Sequence, residues 1–227
     1  MKLPEYKAHP SSLGNLFIEP KLKKDKEEGN LSVTAKSMIE LGIKEKIYGR
    51  KFEFGDNKYT TNGTVSEDNS ISILANNSEF KKLKKNEKTF ENDWLVGTPD
   101  LVLKDRVIDI KTSFSGKTFP LFDTCITNKL YYYQLQAYMF LTGKKKAELC
   151  YILGDIDEDI IGKEYRFNNP EELEYSDFRK TFIYENVDTK YRIKRFEIEY
   201  DKDFEEKVKA KVLKARAFIK ERVKEIK

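Results

Sequence analysis

Apolar and polar positions along the chain change period several times, and each change marks an element. Residues 101–103 and 107–110 are short apolar runs either side of the polar break Lys104-Asp105-Arg106, and read as two strands joined by a tight hairpin. Residues 130–141, rich in tyrosine and leucine, read as a helix that stops at Gly143 before Lys144, Lys145 and Lys146. Residues 32–48 read as another, with Ser32 as its cap and Met38, Ile39, Leu41, Ile43 and Ile47 as its apolar set. Residues 88–94, 147–153 and 191–200 have strand character, whereas 49–63 is polar and turn-rich and a modest helix is expected only over 68–75. The connection 113–128 and the acidic, aromatic stretch 158–190 read as irregular. Residues 203–227 make a charged helix with Phe204, Val208, Val212, Ala215, Ile219, Val223 and Ile226 near one stripe, suited to docking on the domain or on a neighbouring subunit. The pattern predicts an α/β fold: one domain over 1–227, a central mixed sheet flanked by helices, with a helical N-terminal segment and a C-terminal helix.

The hairpin carries the first candidate chemistry. Side chains at i and i+2 share a face of a strand, so Asp109 and Lys111 project together while Ile108 and Ile110 turn into the core. If 101–103 pairs with 107–109, Asp100 at the start of one strand lies near Asp109 on the other. Two carboxylates meeting there would repel, and a divalent cation is the economical remedy. Asp-x-Lys alone means little in a chain that is 36% charged, and it has chance counterparts such as Asp188-Thr189-Lys190. What sets Asp109-Ile110-Lys111 apart is its apolar strand, the preceding Gly97-Thr98-Pro99-Asp100 and the helix that follows. An edge strand with one ion pair is the alternative reading.

Two further segments bear on it. Tyr131, Gln134 and Tyr138 fall on one helical stripe, and a glutamine inside so apolar a helix needs a partner if buried. Gln134 is then either a site residue or a satisfied core amide, and Tyr138 either a site residue or packing. Upstream, Gly63-Thr64-Val65-Ser66-Glu67 offers a third carboxylate, Glu67, whose other reading is a solvated helix residue.

In the order Gly-x-x-x-Glu, Gly-x-Pro-Asp, Asp-x-Lys and Gln-Leu-x-x-Tyr, the chain resembles the PD-(D/E)XK nuclease superfamily, in its RecB-like and YqaJ-like viral recombinase branch, the lambda-exonuclease-like nucleases. The matched motifs run from Gly63 to Gly143. The resemblance implies a restriction-endonuclease-like core, with Glu67, Asp100, Asp109 and the Ile110 carbonyl as magnesium ligands and manganese as a substitute. Lys111 would orient the attacking water or steady the phosphate, and Gln134 and Tyr138 would flank the site. The opening His9-Pro10-Ser11-Ser12-Leu13-Gly14 is similar to the Ser-rich start of this branch, which implies that Ser11, Ser12 and His9 approach a DNA 5′-phosphate. An ordinary turn or helix cap is the other reading of Pro-Ser-Ser. The resemblance further implies 5′-to-3′ digestion of duplex DNA in phage-type recombination, a ring-like trimer and a single-strand annealing protein as partner. A restriction or defence endonuclease and a non-cleaving nucleic-acid-binding protein of the same fold are the competing functions.

Composition removes other classes. One histidine leaves no Ser-His-Asp triad beyond His9 and no multi-histidine zinc centre. Two cysteines, Cys125 and Cys150, are too few for a four-cysteine zinc or iron–sulfur site. No run approaches the roughly 18 apolar residues of a membrane span, and the first residues lack a signal-peptide core. A soluble protein in the cytoplasm of a bacterial or phage-infected cell is expected. The net charge of +4 is mild. The lysine runs at 21–26, 81–88 and 144–146 suit either phosphate neutralisation or plain solvation. In the 113–128 connection, Phe119 and Phe122 either plug the core or meet a frayed DNA end.

Overall fold

The computed structural model describes residues 5–52, 58–77, 83–169 and 172–226, with the backbone alone for 58–66. Along these residues the chain forms α1 (Pro10–Phe17), α2 (Lys23–Glu27), α3 (Val33–Tyr48), α4 (Lys58–Asn76), β1 (Phe90–Glu91), β2 (Val96–Gly97), β3 (Leu101–Val102), β4 (Arg106–Thr112), α5 (Lys129–Thr142), β5 (Lys146–Ile152), α6 (Glu158–Phe167), α7 (Tyr175–Lys180), β6 (Ile193–Glu199) and α8 (Phe204–Glu225).

The central sheet has the order β3-β4-β5-β6 and is mixed: β3 and β6 run antiparallel to their neighbours, while β4 and β5 are parallel and joined by α5. Period-two alternation assigns its faces. Ile108, Ile110, Cys150 and Ile152 pack with Ile71 and Leu74 of α4, whereas Val107, Leu149 and Phe196 pack with Leu135, Tyr138 and Met139 of α5. Asp109 and Lys111 therefore belong to the α5 face. On the outer side of α5, α1, α3 and α8 share a third core that includes Leu13, Ala35, Ile39, Ala137, Phe204, Val208 and Val212. The stripe of the C-terminal helix is thus spent within the chain, buried as far as Ala215 and partly buried at Ile219 and Val223, and Ile226 at its end is exposed.

Several sequence expectations need correction. The helix expected over 68–75 begins at Lys58, inside the stretch read as turns, because Ile71 and Leu74 packing on the sheet outweighs the cost of an interior glycine, about 1 kcal/mol. The strand expected over 88–94 is cut to Phe90–Glu91, since the Asn92 side chain accepts from the Trp94 and Leu95 amides and turns the chain. The 158–190 stretch holds α6 and α7, which close a small core of Phe114, Ile156, Ile160, Ile161 and Phe178. Its apolar residues are few and widely spaced, so the helical period is hidden among charges. The helical N-terminal segment includes α1 and α2, whose individual bounds the sequence pattern did not mark.

Candidate active site

The hairpin pairs as its sequence suggests: Leu101 lies opposite Ile108 and Val102 opposite Val107, which carries Asp100 alongside Asp109. Asp100 accepts a hydrogen bond from the Ile110 amide at 2.7 Å, so its carboxylate fixes the end of β4 as well as facing the site. Asp109 is 1% exposed. One of its oxygens accepts from Gln134 Nε2 at 2.9 Å. The other, Oδ2, forms an ion pair with Lys111 Nζ at 2.8 Å that is out of line for a hydrogen bond, and among the described residues no other donor reaches this buried oxygen. Gln134 also donates to the Tyr138 hydroxyl at 3.3 Å, and Lys111 Nζ sits 5.0 Å from the Tyr131 ring centre. The single stripe of α5 thus delivers Tyr131, Gln134 and Tyr138 to one place. Gln136, two residues on, faces away and is a satisfied core amide, donating to the Glu199 carbonyl and accepting from the Asp201 amide.

The electrostatics are those of crowded, poorly solvated acids. Burial pushes the Asp100 carboxyl up to about 7, assisted by the charge of Asp109 and opposed by the Ile110 amide. Burial likewise raises Asp109 against the pull of Lys111. Burial pulls the Lys111 ammonium down, yet Asp109 and Asp100 outweigh it and hold the group above the ordinary lysine range. Glu67, on α4, adds to the field at both aspartates.

Glu67 is tied at 2.8 Å to Lys85. Among the described residues no three acidic, histidine or cysteine side chains converge into a finished cation cage. The expected set of three carboxylates is present as a close pair with Glu67 within electrostatic reach, and an ammonium stands at each end: Lys111 at Asp109 and Lys85 at Glu67. Lys85 is placed by Asn86, whose amide donates to the Asp100 carbonyl at 2.8 Å and whose side chain donates to the Pro99 carbonyl at 2.9 Å. Sequence reasoning saw Lys85 only as one member of a lysine run. No periodic signal links it to Glu67, because the tie depends on the path of the intervening chain. Half-buried Asp100 beside buried Asp109, with one Asp109 oxygen met only by an out-of-line ammonium, fits a hard divalent cation with oxygen ligands. The Gly63–Ser66 side chains of the upstream motif lie outside the described residues.

The N-terminal motif reaches the same neighbourhood. Ala8 pairs with the β2 hairpin through Ala8 N to Trp94 O and Val96 N to Ala8 O, and α1 starts immediately afterwards. A Cβ at Gly97 would lie 2.7 Å from Pro10 and 3.3 Å from the Tyr138 ring, so only glycine lets the start of α1 and the α5 stripe meet across the hairpin. Gly14 does the same for the helices: its Cβ would come within 2.9 Å of the Leu130 backbone. His9 caps α1 without a side-chain hydrogen bond, and Ser12 Oγ donates to the His9 carbonyl at 3.3 Å. His9 and Ser12 line a cleft of about 600 Å³ together with Lys7, Lys46 and Lys51, whereas exposed Ser11 does not line it. Burial, then Lys51 and Lys46, lower the His9 pKa, so at neutral pH the positive charge of this cleft belongs to the lysines and Arg50 and not to the imidazole.

Sheet, flanking helices and the paired acids with their lysine define the restriction-endonuclease-like nucleases of the PD-(D/E)XK superfamily as the class this chain resembles along its whole length. Among solved structures it is similar to a phage-related exonuclease from Haemophilus somnus, with 27% identity and a TM-score of 0.80 over 99% of this chain and 98% of that one. It is also similar in fold to an alkaline exonuclease from Laribacter hongkongensis, at 14% identity and a TM-score of 0.63 over 97% and 89% of the two chains, a protein also solved in complex with dAMP. No protein-family model and no curated protein matches the chain. Among the described residues no helix is long and apolar enough to cross a membrane.

Proposed function

We propose that this protein is a magnesium-dependent DNA exonuclease, with manganese as a substitute, and that it digests duplex DNA from a 5′ end. The observation that carries the proposal is the pairing of half-buried Asp100 with buried Asp109, one of whose oxygens is met only by the out-of-line ammonium of Lys111, a lysine held as a cation. Exonucleases of the same whole-chain fold support it.

Asp100, Asp109, Glu67 and the Ile110 carbonyl are the proposed magnesium ligands. When bound, magnesium supplies Lewis acidity and an acidified water. Lys111 remains protonated, so it acts as a donor that positions the nucleophile and stabilises charge growing on the phosphate, not as the initial base. Gln134 holds Asp109 in one orientation, and Tyr138, whose phenol is raised by burial and by the Asp109 charge, stays neutral as the acceptor for Gln134. The cleft of His9 and Ser12 would take the terminal 5′-phosphate, with Lys46 and Lys51 supplying charge. Phage-type recombination in the cytoplasm of a bacterial or phage-infected cell, a ring-like trimer and a single-strand annealing partner complete the proposal by resemblance.

Digestion of matched linear and closed-circular duplex DNA, with magnesium and with chelator, tests the reading. Loss of the linear form alone, and only with magnesium, is the expected result. Nicking of the circle would replace it with an endonuclease, and binding without cleavage with a non-cleaving fold. A 5′-hydroxyl duplex degraded as fast as its 5′-phosphate twin would remove the phosphate cleft alone.

A further inference from the structure

The connection between β4 and α5 follows directly on Lys111, and its aromatic residues have opposite fates. Phe114 is buried in the α6–α7 core and Phe119 is buried within the loop, while Phe122 is 91% exposed. A bare phenyl ring at a loop tip is ordinary if the loop is loose. This loop is fastened at both ends and in the middle. The Ser113 amide donates to the Ile152 carbonyl, and the Gly116 amide to the Tyr184 hydroxyl at 2.8 Å. The Phe119 amide donates to the Ser115 carbonyl and the Asp123 amide to the Pro120 carbonyl, Lys194 Nζ donates to the Leu121 carbonyl at 3.2 Å, and Ile126 inserts into the α5-side core. The ring is therefore presented to solvent by a built support.

The support also connects it to the candidate active site. Lys111 lies over Tyr131, Tyr131 meets Tyr151 edge to face at 6.3 Å, Tyr151 meets Phe196 at 6.0 Å, and Lys194 lies over Phe196 while holding the loop.

We propose that Phe122 is a stacking platform for an unpaired nucleobase at the DNA end being processed. This rests on the nuclease reading above and adds a recognition element to it. A second protein is the weaker occupant, because a lone ring with only partly exposed Leu121 beside it falls far short of the apolar patch that marks a protein interface. A base needs only one planar face, and exposed Lys117 on the same connection and exposed Lys129 at the start of α5 suit the neighbouring phosphates.

The test uses the full chain in calcium or chelator, so that DNA is bound without cleavage. Probes are a blunt duplex and a duplex with an unpaired, 2-aminopurine-labelled end; the variants are Phe122→Ala and Phe122→Trp. For the unmodified protein the label is expected to be quenched and the frayed end preferred. Phe122→Ala should lose the quenching and weaken frayed-end binding about ten-fold, with its melting temperature unchanged, and Phe122→Trp should restore both. Equal quenching and affinity in Phe122→Ala would overturn the platform while the nuclease stands. A change of oligomeric mass in Phe122→Ala with DNA binding intact would give the ring to a second copy. Failure of the unmodified protein to bind either DNA would overturn the platform together with the nuclease reading.

Discussion

Strands β4 and β5 each bury a carboxylate, and the protein treats the two in opposite ways. Glu148, 2% exposed, is gripped by Arg195, with Nε 2.8 Å from one oxygen and Nη2 3.0 Å from the other, and by Arg106, which also reaches Glu197 at 2.7 Å. Planar guanidinium forks match a carboxylate and leave it no unmet acceptor. Asp109, equally buried, has one amide donor on one oxygen and, at the other, only an ammonium 2.8 Å away that is out of line for a hydrogen bond. Depth of burial therefore does not separate a structural acid from a chemical one. The degree of satisfaction does, because a group left short by its own chain is held ready for something the chain does not contain.

The largest expected effect comes from exchanging charge for amide at the two acids. Asp109→Asn keeps the shape, and the Gln134 amide can turn over to accept from the new side chain. Cleavage of linear DNA should fall below detection, while the melting temperature in chelator at pH 8 should hold or rise, since repulsion with Asp100 is relieved. Glu148→Gln should do the reverse. It strips two guanidinium groups of their counter-charge and costs about 2–3 kcal/mol, at the low end for a broken buried pair because Arg195 is partly exposed. Its cleavage rate per folded molecule should barely change. Parallel melts and rates decide the matter, and similar behaviour in the two variants would dissolve the contrast.

The contrast was only half legible in the sequence. The Asp100–Asp109–Lys111 face followed from strand period and hairpin spacing, which are local rules, and Gln134 followed from its helical stripe. Glu148 lies in an apolar strand whose expected start, residue 147, gave no reason to single it out. Its partners, Arg106 and Arg195, stand on the two neighbouring strands, 42 and 47 residues away. Such non-local pairings have no sequence period. The same is true of Lys85 at Glu67 and of the lysines that line the His9 cleft. The α6–α7 lobe was missed for another reason: short helices stabilised by tertiary packing carry weak patterns of their own.

Next in size is Lys111→Ala. Turnover should drop about 100- to 1,000-fold, as for one lost transition-state donor, and magnesium binding measured by calorimetry should survive. Loss of metal binding, with rates recovering at high magnesium, would instead make Lys111 part of the cation site, and the ammonium would then serve Asp109 as the guanidinium groups serve Glu148.

A smaller effect separates the two acids by pH. The Asp100 carboxyl is raised by burial and by Asp109 from 3.8 to about 7, so its neutral form favours the fold. That contribution is complete below about pH 4 and is lost as pH rises through the raised value. In chelator the melting temperature should therefore climb as pH falls from 8 to 5. Asp109→Asn should flatten the slope, since the second-largest cause of the shift is gone. Glu148→Gln should keep the slope on a lower baseline, because Asp100 does not depend on Glu148. A slope that persisted in Asp109→Asn and vanished in Glu148→Gln would locate the titrating acid in the wrong half of the sheet.

The smallest expected effect lies at Lys85, an ammonium near the acids that reaches well into solvent. A half-exposed ion pair such as Lys85–Glu67 contributes about 0.5 kcal/mol or less, so Lys85→Ala should leave the melting temperature within a degree or so of the unmodified protein. Its consequence is electrostatic. The ammonium is tied to Glu67 and adds positive field at Asp68 and Asp100, so it competes with any cation for the same carboxylates. Removing it should raise magnesium affinity a few-fold in calorimetry, most visibly at low ionic strength, where screening is least. Asn86→Ala, which removes the side-chain bond to the Pro99 carbonyl but keeps the backbone bond to Asp100 and the charge of Lys85, should loosen the lysine and give a small part of the same gain. Weaker magnesium binding in Lys85→Ala would reverse the assignment: the lysine would then be holding Glu67 in place for the cation, a structural service like that of Arg195 for Glu148, and the line between the satisfied and unsatisfied acids would have to be drawn between Glu67 and Asp109.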